Sequence, residues 1–138
     1  MQGDVFDMGI NSGRFDFCHS NSVIEHVGDW DRVAEFARIT RAVAPSYYVQ
    51  TPYFWFPIEP HFSSPFFHWF PEGVRASLLL KKGHGFQRKL DDIGDAMRSV
   101  QHARLLDRRM MAGLFPDSTL VDERFLGLTK SLMAIRVG

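Results

Sequence analysis

Glu25 and His26 are adjacent in this sequence, and both side chains could take part in acid–base chemistry. An imidazole titrates near neutral pH and can take a proton from a substrate nucleophile. The alternative is that Glu25 faces solvent and His26 forms a hydrogen bond with the nearby chain. His26 is the candidate catalytic residue of this sequence.

A second group of candidates lies in an aromatic and proline-rich segment. Aromatic residues make up 14% of the 138 residues, and many of them fall between Tyr47 and Phe70. The density of proline there excludes a regular helix and disfavours a central strand. We predict that residues 52–71 form a lid loop over a substrate. The alternative for the phenylalanines is that they form a small hydrophobic cluster beside the main core. The candidate substrate-binding residues are Tyr53, Trp55, His61, His68 and Trp69.

Two other kinds of site are disfavoured by spacing. Glu59-Pro60-His61 together with His68 suggests metal ligands, but two histidines seven residues apart match no common zinc pattern. Cys18, which is the one sulfur ligand of that type, is far away in the sequence. No Gly-x-Ser-x-Gly elbow surrounds Ser20 or Ser22, so a serine hydrolase is also disfavoured. We predict no metal site.

The elements that must position these residues begin with a strand, a helix and a strand. The apolar run at 15–20 predicts a buried strand, and a brief helical crossing follows at 23–27. Asp29 is a credible N-cap for a helix from 31 to about 43. The run at 47–51 predicts the second strand. The length of the crossover favours a right-handed βαβ unit, in which the two strands are parallel.

The second half of the chain predicts two helices and a hairpin. Residues 74–80 and 91–106 have helical patterns, and residues 119–125 and 131–137 predict two strands around Gly127. These strands are close enough in sequence to form an antiparallel hairpin. An α/β fold of one domain, residues 1–138, follows from this order.

The order of elements and a set of short motifs resemble the C-terminal half of a class I S-adenosylmethionine-dependent methyltransferase, of the type 11-like kind. In that family a seven-stranded sheet ends with an antiparallel hairpin. The resemblance implies a partial Rossmann-like methyltransferase sheet, with parallel strands followed by a C-terminal antiparallel hairpin. The motifs that carry it are Gly3-Asp4-Val5, Phe15-Asp16, Ser20 to Val27, Arg41 to Pro45, and Tyr48 to Pro52.

The resemblance also implies a cofactor site for S-adenosylmethionine. Asp4 matches the acidic residue that accepts a hydrogen bond from the adenine amino group, and Val5 matches the neighbour whose backbone N–H meets the ring. Ser20, Asn21 and Ser22 lie where the family's fourth strand ends, beside the methionine part of the cofactor. Without the resemblance, Asp4 is equally explained as a turn residue that forms its own local hydrogen bonds.

Parts of the family pattern are missing, among them the acidic residue after the second strand that would bind the ribose hydroxyls. The glycine-rich turn that follows the family's first strand is absent, and Gly83-His84-Gly85 is better explained as a helix stop. We therefore expect a truncated methyltransferase domain that acts on a small or medium organic acceptor when the other half is supplied. The alternative is a non-catalytic fragment or interaction module that self-associates through an unpaired sheet edge near 15–20.

Charge and cysteine content set the remaining expectations. Sixteen basic residues balance sixteen acidic residues, which disfavours nucleic acid and anionic membranes as partners. The lone Cys18 excludes an internal disulfide and fits a reducing compartment. We expect a cytoplasmic protein whose partner is a small-molecule methyl acceptor.

Overall fold

The computed structural model describes residues 3–7, 9, 13–59, 64–81, 91–102 and 104–138. These residues contain both helices and strands, which gives a mixed α/β fold. Short 3₁₀ turns lie at Ile24–His26 and Phe67–Trp69. The strands are β1 (Phe17–Asn21), β2 (Ser46–Pro52), β3 (Ile58–Glu59), β4 (Ser64–Pro65), β5 (Thr119–Phe125) and β6 (Leu128–Arg136). The helices are α1 (Trp30–Val43), α2 (Glu72–Lys81), α3 (Ile93–Gln101) and α4 (Arg108–Leu114).

A four-stranded sheet in the order β1-β2-β6-β5 organises the fold. β1 and β2 are parallel, with Cys18 opposite Tyr47. β6 is antiparallel to β2, with Ala134 opposite Val49, and it also pairs with β5 in an antiparallel hairpin. The predicted parallel pair and the predicted hairpin are therefore confirmed. β3 and β4 form a separate two-stranded ribbon in the aromatic segment.

Helix α1 forms where its local signals predict it. The Asp29 carboxylate accepts a hydrogen bond from the backbone N–H of Arg32 at 3.0 Å, which caps the first turn. The helix ends at Val43, two residues before Pro45, which has no N–H to continue it. Its buried residues are Val33, Phe36, Ala37, Thr40 and Val43. In the described part of the chain, no helix combines the length and the apolarity that crossing a membrane would require.

Two hydrophobic clusters divide the buried side chains. The larger one packs α1 and α4 with β2 and β6, and the smaller one lies between α2, α3 and the 3₁₀ turn at Phe67–Trp69. The central members of the larger cluster are Ile24, Val33, Tyr47, Val49, Leu106, Met111, Leu132 and Ala134. Those of the smaller cluster are Phe67, Ala76, Leu79, Ala96 and Val100.

A polar network joins the amino end of β2 to the hairpin. The carboxylate of Asp117 accepts hydrogen bonds from Tyr47 Oη at 2.7 Å, from Arg41 Nε at 3.0 Å, and from Arg136. Arg136 also donates to the backbone carbonyls of Pro45, Arg41 and Ala44. Burial alone would raise the pKa of Asp117, but hydrogen bonds from Tyr47 and Arg136 and the charge of Arg41 lower it to about 2. The network therefore favours the ionised carboxylate.

The helix predicted at 91–106 is wrong in its second half. α3 ends at Gln101, and the following residues form contacts with distant parts of the chain instead. The N–H of Arg104 donates to the carbonyl of Glu25 at 2.7 Å, and Leu106 forms a bridge with Tyr53. The sequence patterns also missed α4. This helix begins after Asp107, whose carboxylate caps it by accepting a hydrogen bond from the backbone N–H of Met110.

The prediction that the first strand is buried is also corrected. Phe15 and Phe17 are 42% and 55% exposed, and Cys18 is half-buried. The physical reason is position, because β2 is the one neighbour that β1 has among the described residues. An apolar run indicates a strand here, but it does not say whether both of its sides are covered.

Candidate functional site

The carboxyl ends of β1 and β2 are joined by polar contacts. Ser22 adopts a left-handed backbone with φ of 53°, a conformation that is uncommon outside glycine. Its N–H and its hydroxyl both donate to the Gln50 side-chain oxygen, at 3.1 and 3.0 Å. Of the predicted cofactor residues here, Asn21 and Ser22 are exposed and Ser20 is buried. The Ser20 hydroxyl is buried without a hydrogen-bond partner in the described part of the chain.

Glu25 and His26 follow directly in the 3₁₀ turn. Glu25 is fully buried, and its Oε2 accepts a hydrogen bond from Thr51 Oγ1 at 3.0 Å. Its Oε1 has no hydrogen-bond partner among the residues described and lies 4.0 Å from His26 Nε2. The alternative in which Glu25 faces solvent is therefore wrong.

His26 contacts the segment that follows α3. His26 Nδ1 lies 3.3 Å from the carbonyl oxygen of His102, and the two imidazole rings are 4.9 Å apart. A carbonyl oxygen only accepts, so Nδ1 is the donor in this contact. The other ring nitrogen, Nε2, is the one that lies near the Glu25 carboxylate. The hydrogen bond reaches across the fold to His102, and not to the nearby chain as the alternative assumed.

Asp4 and Val5 lie in the loop before β1. Asp4 is exposed, and its Oδ1 accepts a hydrogen bond from the backbone N–H of Phe6 at 2.9 Å. This local contact is the turn role that the sequence left open. Val5 packs against the larger hydrophobic cluster, and the Phe6 ring lies 4.4 Å from the guanidinium of Arg32. The loop is thus held beside the amino end of α1.

A groove of about 370 Å³ runs beside β1. It brings together Val5 and Ser20, which are predicted cofactor residues from two separate segments, whereas Asp4, Asn21 and Ser22 do not line it. Cys18 also faces the groove. Burial raises the pKa of its thiol, although a hydrogen bond with Thr40 opposes the rise, so a reactive thiolate is disfavoured. The other lining residues are mainly apolar: Phe15, Phe17, Val23, Phe36, Ile39 and Val43.

Two side chains of the aromatic segment share one backbone carbonyl as their acceptor. His68 Nε2 and Trp69 Nε1 both donate to the carbonyl oxygen of Phe54, at 2.6 and 3.1 Å. The rings of Phe54 and His68 meet edge to face at 5.5 Å, and those of Trp55 and Trp69 are 6.0 Å apart. These contacts hold the 3₁₀ turn at Phe67–Trp69 against Phe54, and the neighbouring aromatic rings contact one another.

These aromatic residues form one wall of a cavity of about 620 Å³. Trp55 and His68 line it, as predicted substrate residues, and Trp69 contacts Trp55 from beside it. Tyr53 packs against the larger hydrophobic cluster. His61 lies outside the described residues. His26 does not line the cavity, although Gly28 and Asp29, which follow it closely, do.

The charged residues of this cavity were missed by the sequence patterns. They come from the start of α1, from α2, and from the segment between α3 and α4. No local signal marks Arg104, because it falls inside a run that continues the helical pattern of α3. The charged lining residues are Asp29, Glu72, Arg75, Arg104 and Asp107. Among the described residues, no group of three or more His, Cys, Asp or Glu side chains is placed to hold a metal ion.

Comparisons with known proteins give little further information. No family model matches this chain. No curated protein matches it either. Among solved structures, it is similar to a possible exported protein from Bordetella parapertussis, with 17% identity and a TM-score of 0.48, over 99% of this chain and 43% of that protein. The chain thus spans less than half the length of that protein. That protein is described as possibly exported, in contradiction to the cytoplasmic location that we expected from the sequence, and we do not maintain that expectation.

Proposed function

We propose that this chain forms part of an S-adenosylmethionine-dependent methyltransferase with a partial Rossmann-like sheet, acting on a small or medium organic acceptor. The observation that carries the proposal is the strand order: two parallel strands, β1 and β2, followed on the β2 side by an antiparallel hairpin. The resemblance in sequence implies the same order. Open α/β sheets bind ligands beyond the carboxyl ends of their parallel strands, and Ser20–Ser22 lie at that end.

Two polar groups would suit the cofactor. The Ser20 hydroxyl is buried without a partner among the described residues, so a ligand atom there would satisfy it. In the described part of the chain, Asp4 uses only Oδ1 in a hydrogen bond, which leaves Oδ2 to accept from an adenine amino group. Val5, Asn21 and Ser22 complete the proposed cofactor set. The cofactor supplies a methyl group on a sulfonium, and the role of the chain is to hold and orient it.

The acceptor side of the proposal uses the 620 Å³ cavity. That volume suits one small organic molecule, and the aromatic wall with Trp55 and His68 excludes water from it. Tyr53, His61 and Trp69 remain proposed substrate residues around it. When an oxygen or nitrogen nucleophile is methylated, its proton must leave. His26 remains the proposed acceptor of that proton; it does not itself line the cavity, but Gly28 and Asp29, which follow it closely in the sequence, do.

Calorimetric titration with S-adenosylhomocysteine tests the cofactor site. Asp4→Asn retains an oxygen for the Phe6 N–H but turns the other oxygen into a donor, which repels the adenine amino group. We expect it to weaken binding roughly tenfold, the range of a lost hydrogen bond to a charged group. Asp7→Asn, in the same loop and also exposed, is the matched control and should leave binding unchanged. No heat with the unaltered chain, or equal effects of the two changes, would count against the proposal.

A second candidate function is supported by the free side of β1. Phe15, Phe17 and Val23 are exposed along the groove there, and an unpaired strand edge can pair with a second copy of the chain. Sedimentation velocity over a range of concentrations tests this self-association. Phe17→Lys should abolish it, whereas Phe125→Lys, at an equally exposed position on β5, should not. A chain that stays monomeric throughout would exclude this function.

A further inference from the structure

The 620 Å³ cavity combines aromatic, apolar and charged lining residues, which together indicate the kind of molecule that it accepts. Its walls combine the flat rings of Phe54, Trp55 and His68 with the apolar side chains of Val100, Leu105 and Met110. Such walls suit a planar apolar body. The charged groups are therefore what can distinguish one planar molecule from another.

All three carboxylates of the lining are already engaged. Asp29 caps α1 through Arg32 N at 3.0 Å, and Asp107 caps α4 through Met110 N at 2.8 Å. Glu72 lies in the first turn of α2 and accepts a hydrogen bond from Gln101 Nε2 at 2.9 Å. Each carboxylate thus lies at a helix N-terminus, where the partial positive charge of the backbone N–H groups balances it.

The two arginines of the lining differ. Arg75 has an interaction of its own. Arg104 forms one hydrogen bond, through its backbone N–H to the carbonyl of Glu25, and its guanidinium has no ion pair with any carboxylate whose position the structure describes. This backbone contact holds Arg104 beside the 3₁₀ turn that follows β1. Among the described lining residues, Arg104 is therefore an exposed cation without an ion pair, next to the carboxyl end of the strands.

We propose that the cavity binds an aromatic carboxylate, with its ring against Trp55 and Phe54 and its carboxylate on the guanidinium of Arg104. A guanidinium presents a planar fork of donors that matches the two oxygens of a carboxylate. The inference deepens the proposed function, since it names the class of the methyl acceptor and rests on the cavity being the acceptor site. Arg104 is here a specificity residue that contacts the substrate.

The test compares 2-naphthoate with 2-naphthamide, which have the same ring system but differ in charge. Binding of each is measured by calorimetry to the unaltered chain, to Arg104→Gln, and to Arg109→Gln. Arg109 is an exposed arginine on α4 outside the cavity lining, which makes it the matched control. We expect the unaltered chain and the control to bind the naphthoate about tenfold more tightly than the naphthamide, and Arg104→Gln to lose that preference.

The outcomes separate this inference from the proposed function. Equal binding of the two probes, no binding of either, or an intact preference in Arg104→Gln would overturn the inference. Circular dichroism of each variant shows whether it is folded, and Arg104→Lys, which retains the charge without the fork, should retain part of the preference. Titration with S-adenosylhomocysteine is run separately. A chain that binds the naphthoate but not S-adenosylhomocysteine supports the carboxylate site and counts against the proposed cofactor site.

Discussion

Replacing Asp117 with asparagine removes one charge from the network that joins β2 to the hairpin. The asparagine retains one acceptor oxygen but turns the other into a donor. In the unaltered chain, the two carboxylate oxygens accept hydrogen bonds from Tyr47, Arg41 and Arg136. In the variant, at least one of these donors therefore loses its partner. Tyr47 is fully buried, which makes an unsatisfied hydroxyl there costly.

The magnitude follows from the pKa of Asp117. Lowering it from the ordinary value of 3.8 to about 2 corresponds to about 2 kcal/mol of stabilisation at neutral pH. The side chain is 33% exposed, and solvent screening reduces this to about 1–2 kcal/mol. We expect Asp117→Asn to lower the free energy of unfolding by that amount at pH 6.

Urea unfolding followed by tryptophan fluorescence measures the change. Glu35→Gln is the control, because Glu35 also accepts hydrogen bonds from an arginine, Arg38, but does so on the exposed surface of α1. We expect no resolvable change from it. If the two variants are equally stable, the network does not stabilise the fold as we describe.

The pH dependence gives a second check on the same reasoning. Because the pKa of Asp117 is lowered in the folded state, its contribution is complete above about pH 4 and is lost as the pH falls towards 2. The difference between the unaltered chain and Asp117→Asn should therefore shrink by about half between pH 6 and pH 3. A difference that stays constant, or grows in acid, would refute the assignment.

Three further predictions concern individual side-chain contacts. Burial and the carboxylate of Asp117 raise the pKa of Tyr47 to about 12. The unaltered chain should therefore lose stability as the pH rises from about 10 to 12. Tyr47→Phe should not show this loss in urea titrations. Thr51→Val leaves the buried Glu25 without its donor and should cost at least about 2 kcal/mol in urea unfolding, part of which Glu25→Leu in the same chain should restore. Asp107→Ala removes the cap of α4 and should cost about 1 kcal/mol, measured by thermal unfolding.

Local signals in the sequence predicted the elements that local forces determine. α1 has an aspartate cap, an apolar face and a proline beyond its end, and each of these acts within a few residues. The hairpin of β5 and β6 joins strands separated by a short turn at Gly127. In both cases the residues that stabilise the element are close together in the sequence, so their pattern alone is informative.

The segment between α3 and α4 shows what such patterns cannot predict. The helical pattern of the sequence continues as far as residue 106, but His102, Arg104 and Leu106 contact His26, Glu25 and Tyr53, which are some 50 to 80 residues away in the sequence. These tertiary contacts override a weak helical preference. Arg104 was missed for the same reason, since only the folded chain brings it to the cavity.

The prediction of the lid residues agrees better with the structure, because it was based on amino-acid composition. Trp55 and His68 line the cavity, and Trp69 lies beside them. The density of aromatic side chains indicated that the segment covers something, but not what it covers. The charges opposite it come from three other elements, and no pattern in the sequence links them.

The bridge between Tyr53 and Leu106 brings together the two ends of the chain segment that runs between them. The chain therefore leaves the sheet after Tyr53 and is back beside it at Leu106, and the members of the smaller hydrophobic cluster lie between these two residues in the sequence. Chain ends that lie close together favour the insertion or exchange of the segment between them. A different sequence of similar span could be grafted between these two anchor points, renewing one side of the cavity while the sheet and its neighbouring polar residues stay as they are.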